Sequence, residues 1–150
     1  SNVIPEEAKI QGTLRTLNEN FRSQVHKVLL EQAKIISKKY SGNCVFNIKR
    51  GYPVLYNDPK FTEKCKSLSK DFLDSQSVKN LNIRMASEDF SYFSQNCPSC
   101  FFRLGVGNKK KNITHLVHTP YFNIDETSLE IGVGLMSYLT VFNLLNLKTI

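Results

Sequence analysis

Two short groups of residues in this sequence are of types that bind metal ions. His115 and His118 are imidazoles three positions apart, and Glu88 and Asp89 are adjacent carboxylates. Neither group is specific by itself, because adjacent side chains on a strand point to opposite faces and a histidine before Thr-Pro is commonly a loop residue. Both groups are therefore candidate metal ligands, and the pattern alone leaves their roles open.

The motif Cys97-Pro98-Ser99-Cys100 contains a pair of thiols at a spacing used in redox and zinc sites. Redox motifs of this kind follow a strand and open a helix, whereas this pair precedes an apolar run typical of a strand. We therefore interpret Cys97 and Cys100 as small thiols that are buried or half-buried. Four cysteines in 150 residues are also too few for a disulfide scaffold, which favours a reducing, cytoplasmic setting.

Positive charge is in excess, since 20 Lys and Arg residues stand against 13 Asp and Glu residues and give a net charge of +7. A basic chain can bind nucleic acid through its phosphates, and Lys109–Lys111 is the densest run of positive charge. No aromatic residue is interleaved with this run. Solvated surface charge is the favoured interpretation, and a nucleic-acid binder is kept as a third hypothesis.

The elements that must position these groups begin with a strand, a helix and a strand. Residues 8–17 alternate apolar and polar side chains, as residues 44–49 do, which predicts two half-buried strands. Between them Asn18 is a candidate N-cap, apolar residues recur at helical spacing, and Gly42 is a candidate C-terminal stop. The first third of the chain is therefore predicted to be mixed helix and strand.

The sequence changes character near Asn57. Asp58-Pro59 is a helix-start signal, and apolar residues then recur every three or four positions up to Phe72. Residues 100–106 form an apolar run that predicts a buried strand, and residues 131–147 carry no charge. Polar residues interrupt that last segment, so we predict a helix buried on nearly all sides rather than a membrane span. The predicted fold class is α/β, with a boundary near Asn57.

Several short motifs together resemble the C-terminal part of the metal-dependent amidohydrolases that include hippurate hydrolase, auxin-conjugate hydrolase and N-acetyl-diaminopimelate deacetylase. The resemblance covers essentially the whole chain, and the motifs stand in the family's order. They are Asn2-Val3-Ile4-Pro5 with Gly12-Thr13-Leu14-Arg15, Tyr52-Pro53 with Asn57, Met85-Ala86-Ser87-Glu88-Asp89-Phe90-Ser91, Pro98 with Phe101-Phe102-Arg103-Leu104-Gly105, and His118-Thr119-Pro120-Tyr121-Phe122 with Asp125-Glu126.

This resemblance implies a layout of two parts. Residues 1–57 would be the rear part of an α+β lid domain that also forms the homodimer. Residues 58–150 would be the C-terminal part of a zinc-peptidase-like αβα catalytic domain.

The resemblance also implies roles for individual residues. His118 matches the family's last metal ligand, and Arg15 matches a lid arginine that meets the substrate's carboxylate, with Asn2 beside it. Glu88 and Asp89 match a motif near the site, where they either touch substrate or hold the loop.

In such a family a pair of divalent ions, zinc or manganese for example, activates a water that hydrolyses the amide bond of an N-acyl amino acid, and a glutamate acts as general base. The motifs for that base and for the other metal ligands belong to the family's N-terminal part and are not found in this sequence. We therefore expect a C-terminal fragment that holds no metal, is inactive alone, and aggregates or needs its missing half. The alternative is a non-catalytic protein-interaction module derived from the family.

Overall fold

The computed structural model describes residues 4–147, with side chains described up to residue 145. Within that range the chain forms four α-helices, α1 (Glu19–Lys39), α2 (Pro59–Phe72), α3 (Ser91–Ser94) and α4 (Thr127–Leu147), and a 3₁₀ turn at Lys109–Lys111. The chain divides into two compact units. The first comprises the residues up to Leu55 together with Ile83–Tyr92, and the second comprises Tyr56–Asn82 together with the chain from Phe93 onward.

In the first unit, α1 begins where the sequence predicted. The Asn18 side chain accepts a hydrogen bond from the backbone N–H of Phe21 at 2.9 Å, which satisfies one of the donors that a helix start leaves open. At the other end Ser41, not Gly42, takes the left-handed conformation with φ 56°, and the Gly42 N–H donates to the carbonyl of Ser37. The stop near Gly42 is confirmed, although the glycine is not the residue that turns.

The segment before Leu55 is held against the start of α1 by polar contacts. Glu19 forms a 2.6 Å ion pair with Arg22 and accepts a hydrogen bond from the Val54 N–H at 2.9 Å. Arg22 in turn donates to the carbonyl of Tyr52 at 2.9 Å. Side chains in the first turn of α1 therefore hold residues 52–54 against the start of this helix.

In the second unit, α2 begins at the predicted Asp58-Pro59 signal, with the Asp58 carboxylate accepting from the Phe61 N–H at 2.8 Å. Helix α2 packs against α4. The buried apolar residues of the described chain are Cys65, Leu135 and Leu139, and they form the core of this contact. Phe61, Leu68, Leu73 and Cys100 pack around them.

Glycines allow other groups to come close to α4. A Cβ atom added at Gly134 would lie 2.8 Å from the Phe72 ring, and one added at Gly132 would lie 2.9 Å from a methyl group of Leu104. Gly132 and Gly134 therefore serve the packing of α4, because a larger residue at either position would collide with its neighbour.

The prediction that α4 is buried on nearly all sides is wrong. Leu135 and Leu139 are buried, but Val133 is 70% exposed and Leu144 is 57% exposed, so the helix buries one face. Among the described residues, α4 is the one helix long and apolar enough to span a membrane, over Thr127–Leu145. Core helices of soluble proteins meet the same criterion, and the expectation of no membrane contact stays a prediction.

The three predicted strands do not form. Residues 8–17, 44–49 and 100–106 form neither helix nor strand, and within residues 4–147 the one backbone bridge of β type joins Asn108 to Ile113. A strand is held by hydrogen bonds to a neighbouring strand, and the described part of the chain offers these segments no such neighbour. Ile10 in the first segment is 94% exposed, and Phe46 and Ile48 on the apolar face of the second are 37% and 41% exposed, whereas Phe101 and Leu104 in the third are half-buried. The α/β class is thus not confirmed by the structure, which is helical.

Candidate functional site

His118 lies in the second unit, at an exposed turn on the approach to α4. Its backbone has φ 67°, in the left-handed region that non-glycine residues seldom adopt. The turn is closed by the Thr119 hydroxyl, which donates to the carbonyl of Leu116 at 2.9 Å, and by the Phe122 N–H, which donates to Thr119 at 3.1 Å. His118 therefore lies in a tight turn, and its backbone conformation is strained.

The other histidine of the pair makes an aromatic contact near the same turn. The His115 ring lies against the Tyr121 ring, with 5.5 Å between their centroids and 44° between their planes. This contact accounts for His115 as a packing residue of the same turn.

Asp125, just before α4, joins the two ends of the segment that carries His118. Its carboxylate accepts hydrogen bonds from the Asn108 amide and from the Lys111 ammonium, the latter at 2.7 Å. These hydrogen bonds, from Lys111 first and Asn108 second, hold the pKa of Asp125 well below its usual value. The carboxylate of this buried residue is therefore ionised throughout the physiological pH range.

The Asp125 contacts were missed by sequence reasoning. Lys111 was interpreted as solvated charge within the lysine run, yet it is ion-paired with a buried carboxylate 14 residues further along the chain. No helical or strand periodicity links positions 108, 111 and 125. The one sequence signal that pointed to Asp125 was its place, with Glu126, among the motifs that resemble the family.

Arg15 and the Glu88-Asp89 motif both belong to the first unit. One guanidinium N–H of Arg15 donates to the carbonyl of Met85 at 3.2 Å, three residues before Glu88. The Glu88 carboxylate accepts from the Phe90 N–H at 3.4 Å, and the Ser91 N–H donates to the Glu88 carbonyl. Glu88 is half-buried in this turn, whereas Asp89 is exposed.

The structure therefore brings the predicted arginine to the same stretch of chain as the predicted carboxylates. Asn2, which was expected beside Arg15, lies outside the described residues. The site roles of Arg15, Glu88, Asp89 and His118 remain predictions.

The cysteines behave differently from one another. Cys97 is exposed, which corrects the expectation of a buried or half-buried thiol, while Cys100 is half-buried as expected. Cys97 follows α3, and its thiol lies 3.5 Å from the Phe93 carbonyl oxygen and from the Ser99 hydroxyl. Burial, and next the neighbouring Cys100, raise the pKa of the Cys65 thiol to about 11, so Cys65 stays protonated and packs as an apolar side chain.

Comparison with known proteins identifies a family that matches most of this chain. Residues 5–140 match the family described as peptidase family M20/M25/M40. This chain belongs to that family. The proposed ligand His118, the arginine Arg15 and the clustered Asp125 all fall within the matched range, and no solved structure matches the chain.

Members of the M20 family related to this chain are named as hydrolases. Thermostable carboxypeptidase 2 of Saccharolobus solfataricus is 31% identical over 132 residues, which are 87% of this chain and 33% of the relative. IAA-amino acid hydrolase ILR1-like 4 of Arabidopsis thaliana is 28% identical over 98% of this chain and 34% of its own length. Putative amidohydrolase YhaA of Bacillus subtilis is 30% identical over 85% of this chain and 32% of its own length. The chain thus spans about a third of the length of the curated relatives it matches.

M20 peptidases are generally metal-dependent, and the described residues do not fit a metal centre by themselves. Nowhere between residues 4 and 147 do three His, Cys, Asp or Glu side chains converge in a way that could hold a metal ion. Tight metal sites need several convergent ligands, and His118 is one. A metal site that uses His118 would need ligands from elsewhere.

Proposed function

We propose that this chain is part of a metal-dependent amidohydrolase that cleaves the amide bond of N-acyl amino acids. The observation that carries the proposal is the M20 family match over residues 5–140. The names of the relatives support it, since they include a carboxypeptidase, an IAA-amino acid hydrolase and a putative amidohydrolase. By the intact hydrolase we mean a polypeptide in which this chain is joined to the remaining two thirds or so of the family's length.

Within the intact hydrolase, this chain supplies one metal ligand, His118, and one substrate-binding cation, Arg15. The general base, the other ligands and hence the divalent metal pair belong to the rest of the protein. Dimerisation through residues 1–57, a cytoplasmic location and the absence of membrane and nucleic-acid partners are further parts of the proposal.

Arg15 is suited to the free carboxylate of an N-acyl amino acid. A guanidinium is always charged and presents five donors in a planar fork that matches both oxygens of a carboxylate. The hydrogen bond to Met85, three residues before Glu88, uses one of these donors and leaves the others for a substrate. A positioned guanidinium of this kind distinguishes a free carboxylate from a neutral carboxamide.

Replacing Arg15 by leucine in the intact hydrolase is expected to raise KM for an N-acetyl amino acid at least about tenfold, because a charge-assisted hydrogen bond contributes roughly 1.5–3 kcal/mol. The same variant should leave hydrolysis of the matching amino acid amide unchanged. Steady-state kinetics with the two substrates measure the difference.

Lys9→Leu is the matched control, because Lys9 is an exposed cation on the same segment. It should alter neither substrate's KM. Equal losses on the acid and the amide in Arg15→Leu would show that Arg15 is structural, and an intact hydrolase that cleaves neither substrate would refute the proposed function.

A further inference from the structure

Asn108, Lys111 and Asp125, called here the Asp125 clamp, form a cross-link between distant parts of the second unit. The Asp125 carboxylate accepts from both other side chains, which lie 17 and 14 residues earlier in the chain. The Asp125 backbone N–H also donates to the Val106 carbonyl at 2.8 Å. Hydrogen bonds to an ionised carboxylate are stronger than those between neutral groups. These contacts therefore hold residues 108–111 firmly to Asp125.

The clamp closes a loop whose two ends are themselves ordered. At one end, backbone hydrogen bonds of 2.8 Å in both directions join Asn108 and Ile113. At the other end, the Ser128 N–H donates to the Asp125 carbonyl at 2.9 Å as α4 begins. Residues 114–124 run between these ends, and His118 lies near their middle.

The backbone of His118 needs such support. A non-glycine residue with φ 67° is in an unfavourable conformation, which persists only where the surrounding structure enforces it. The hydrogen bonds inside the loop, from Thr119 to Leu116, from Phe122 to Thr119 and from Ile124 to Asn123, span at most three residues and are local. Fixing the loop's ends therefore falls to the contacts outside it, and the Asp125 clamp supplies them.

We propose that Asp125 is a positioning residue, which holds residues 114–124 closed and thereby keeps His118 in its left-handed conformation. The functional meaning of this inference rests on the proposed role of His118 as a metal ligand. In this proposal the clamp acts on His118 through the backbone of residues 114–124.

The clamp pairs one carboxylate with an amide and an ammonium group. One substitution can therefore remove the negative charge, and a second can restore it at the neighbouring position. Asp125→Asn removes the charge that Lys111 faces, while the side chain keeps its size. In the double variant Asn108→Asp/Asp125→Asn the carboxylate and the amide exchange places. Position 108 already accepts from the backbone N–H groups of Lys110 and Lys111, so a carboxylate there is well placed.

Amide hydrogen exchange on the whole chain tests the proposal. In Asp125→Asn we expect exchange at Ile113, Phe122 and Asp125 to accelerate at least about tenfold, while exchange in α2 stays unchanged, since only a local opening becomes easier. The imidazole Hε1 resonance of His118 should shift, and that of His26 in α1 should not. The double variant should restore both signals toward wild type, and Glu126→Gln, an exposed neighbour, should change neither.

Unchanged amide exchange in the loop of Asp125→Asn would overturn the clamp. Exchange that accelerates equally throughout α2 and α4 would also overturn it, and so would a double variant that does not restore the wild-type exchange rates. Should Asp125→Asn not fold, Lys111→Met offers a milder break, because the Lys111 side chain is 54% exposed. It should accelerate the same amides to a smaller degree, and no acceleration there would overturn the clamp. If loop exchange changes as expected but His118 is dispensable for hydrolysis in the intact hydrolase, the ligand role proposed for His118 fails and the clamp stands.

Discussion

Leu135→Ala is expected to destabilise the second unit by about 2–5 kcal/mol, the cost of deleting most of a buried leucine side chain and leaving a cavity. Leu135 is 4% exposed and belongs with Cys65 and Leu139 to the core between α2 and α4. So small a core has few other contacts to make up the loss. Against a typical total of about 5–15 kcal/mol for a domain, this is a large fraction.

Leu129→Ala is the matched control, with the same substitution in the same helix. Leu129 is 54% exposed, so its truncation should cost less than about 1 kcal/mol and should be partly offset by alanine's helix propensity. Urea unfolding at micromolar concentration, followed by circular dichroism, measures both variants. Equal destabilisation by the two would show that α4 does not use Leu135 as its core residue.

His118→Ala in the intact hydrolase is expected to lower kcat/KM at least about 100-fold and to weaken metal binding. Groups that merely support a metal ligand already cost about 10–100-fold when mutated, and a ligand should cost more. Kinetics at saturating metal, together with a metal titration of the apo-protein, separate a lost ligand from a damaged fold.

His115→Ala is the control for this experiment, because His115 lies three residues before His118 and its ring contacts the Tyr121 ring at a tilt of 44°. It should change kcat/KM by no more than about threefold, as expected for a partial loss of packing at an exposed turn. If the two alanine variants lose activity and metal affinity equally, His118 has no special role and the ligand assignment is wrong.

Local signals in the sequence were sufficient to predict where α1 and α2 begin, but they did not predict the short helix α3. Asn18 caps α1 and Asp58 caps α2 as predicted, because a capping side chain bonds a backbone N–H only three residues away. The exposure of α4 was not predictable in the same way. An uncharged helix can be covered on every side or on one, and the choice depends on which elements surround it.

The absence of the predicted strands and the presence of the Asp125 clamp both depend on contacts between distant residues, which local sequence signals do not predict. An alternating segment such as residues 44–49 indicates a face suited to a sheet, but forming the strand requires a partner that the described residues do not supply. The clamp joins Asn108 to Asp125 across 17 residues without any periodic relation. The left-handed backbone of His118 depends on its surroundings and carries no glycine signal, so the resemblance identified the residue but not its conformation.

Centrally, we propose that His118 is one ligand of a metal centre whose other ligands lie in the part of the family's length that this chain does not match. The most direct measurement adds zinc, manganese or cobalt to the purified chain and follows hydrolysis of an N-acyl amino acid. We expect no metal-dependent turnover and no metal affinity that differs between wild type and His118→Ala, since a single imidazole does not hold a divalent ion tightly. Metal-dependent turnover by this chain, abolished in His118→Ala, would contradict the proposal.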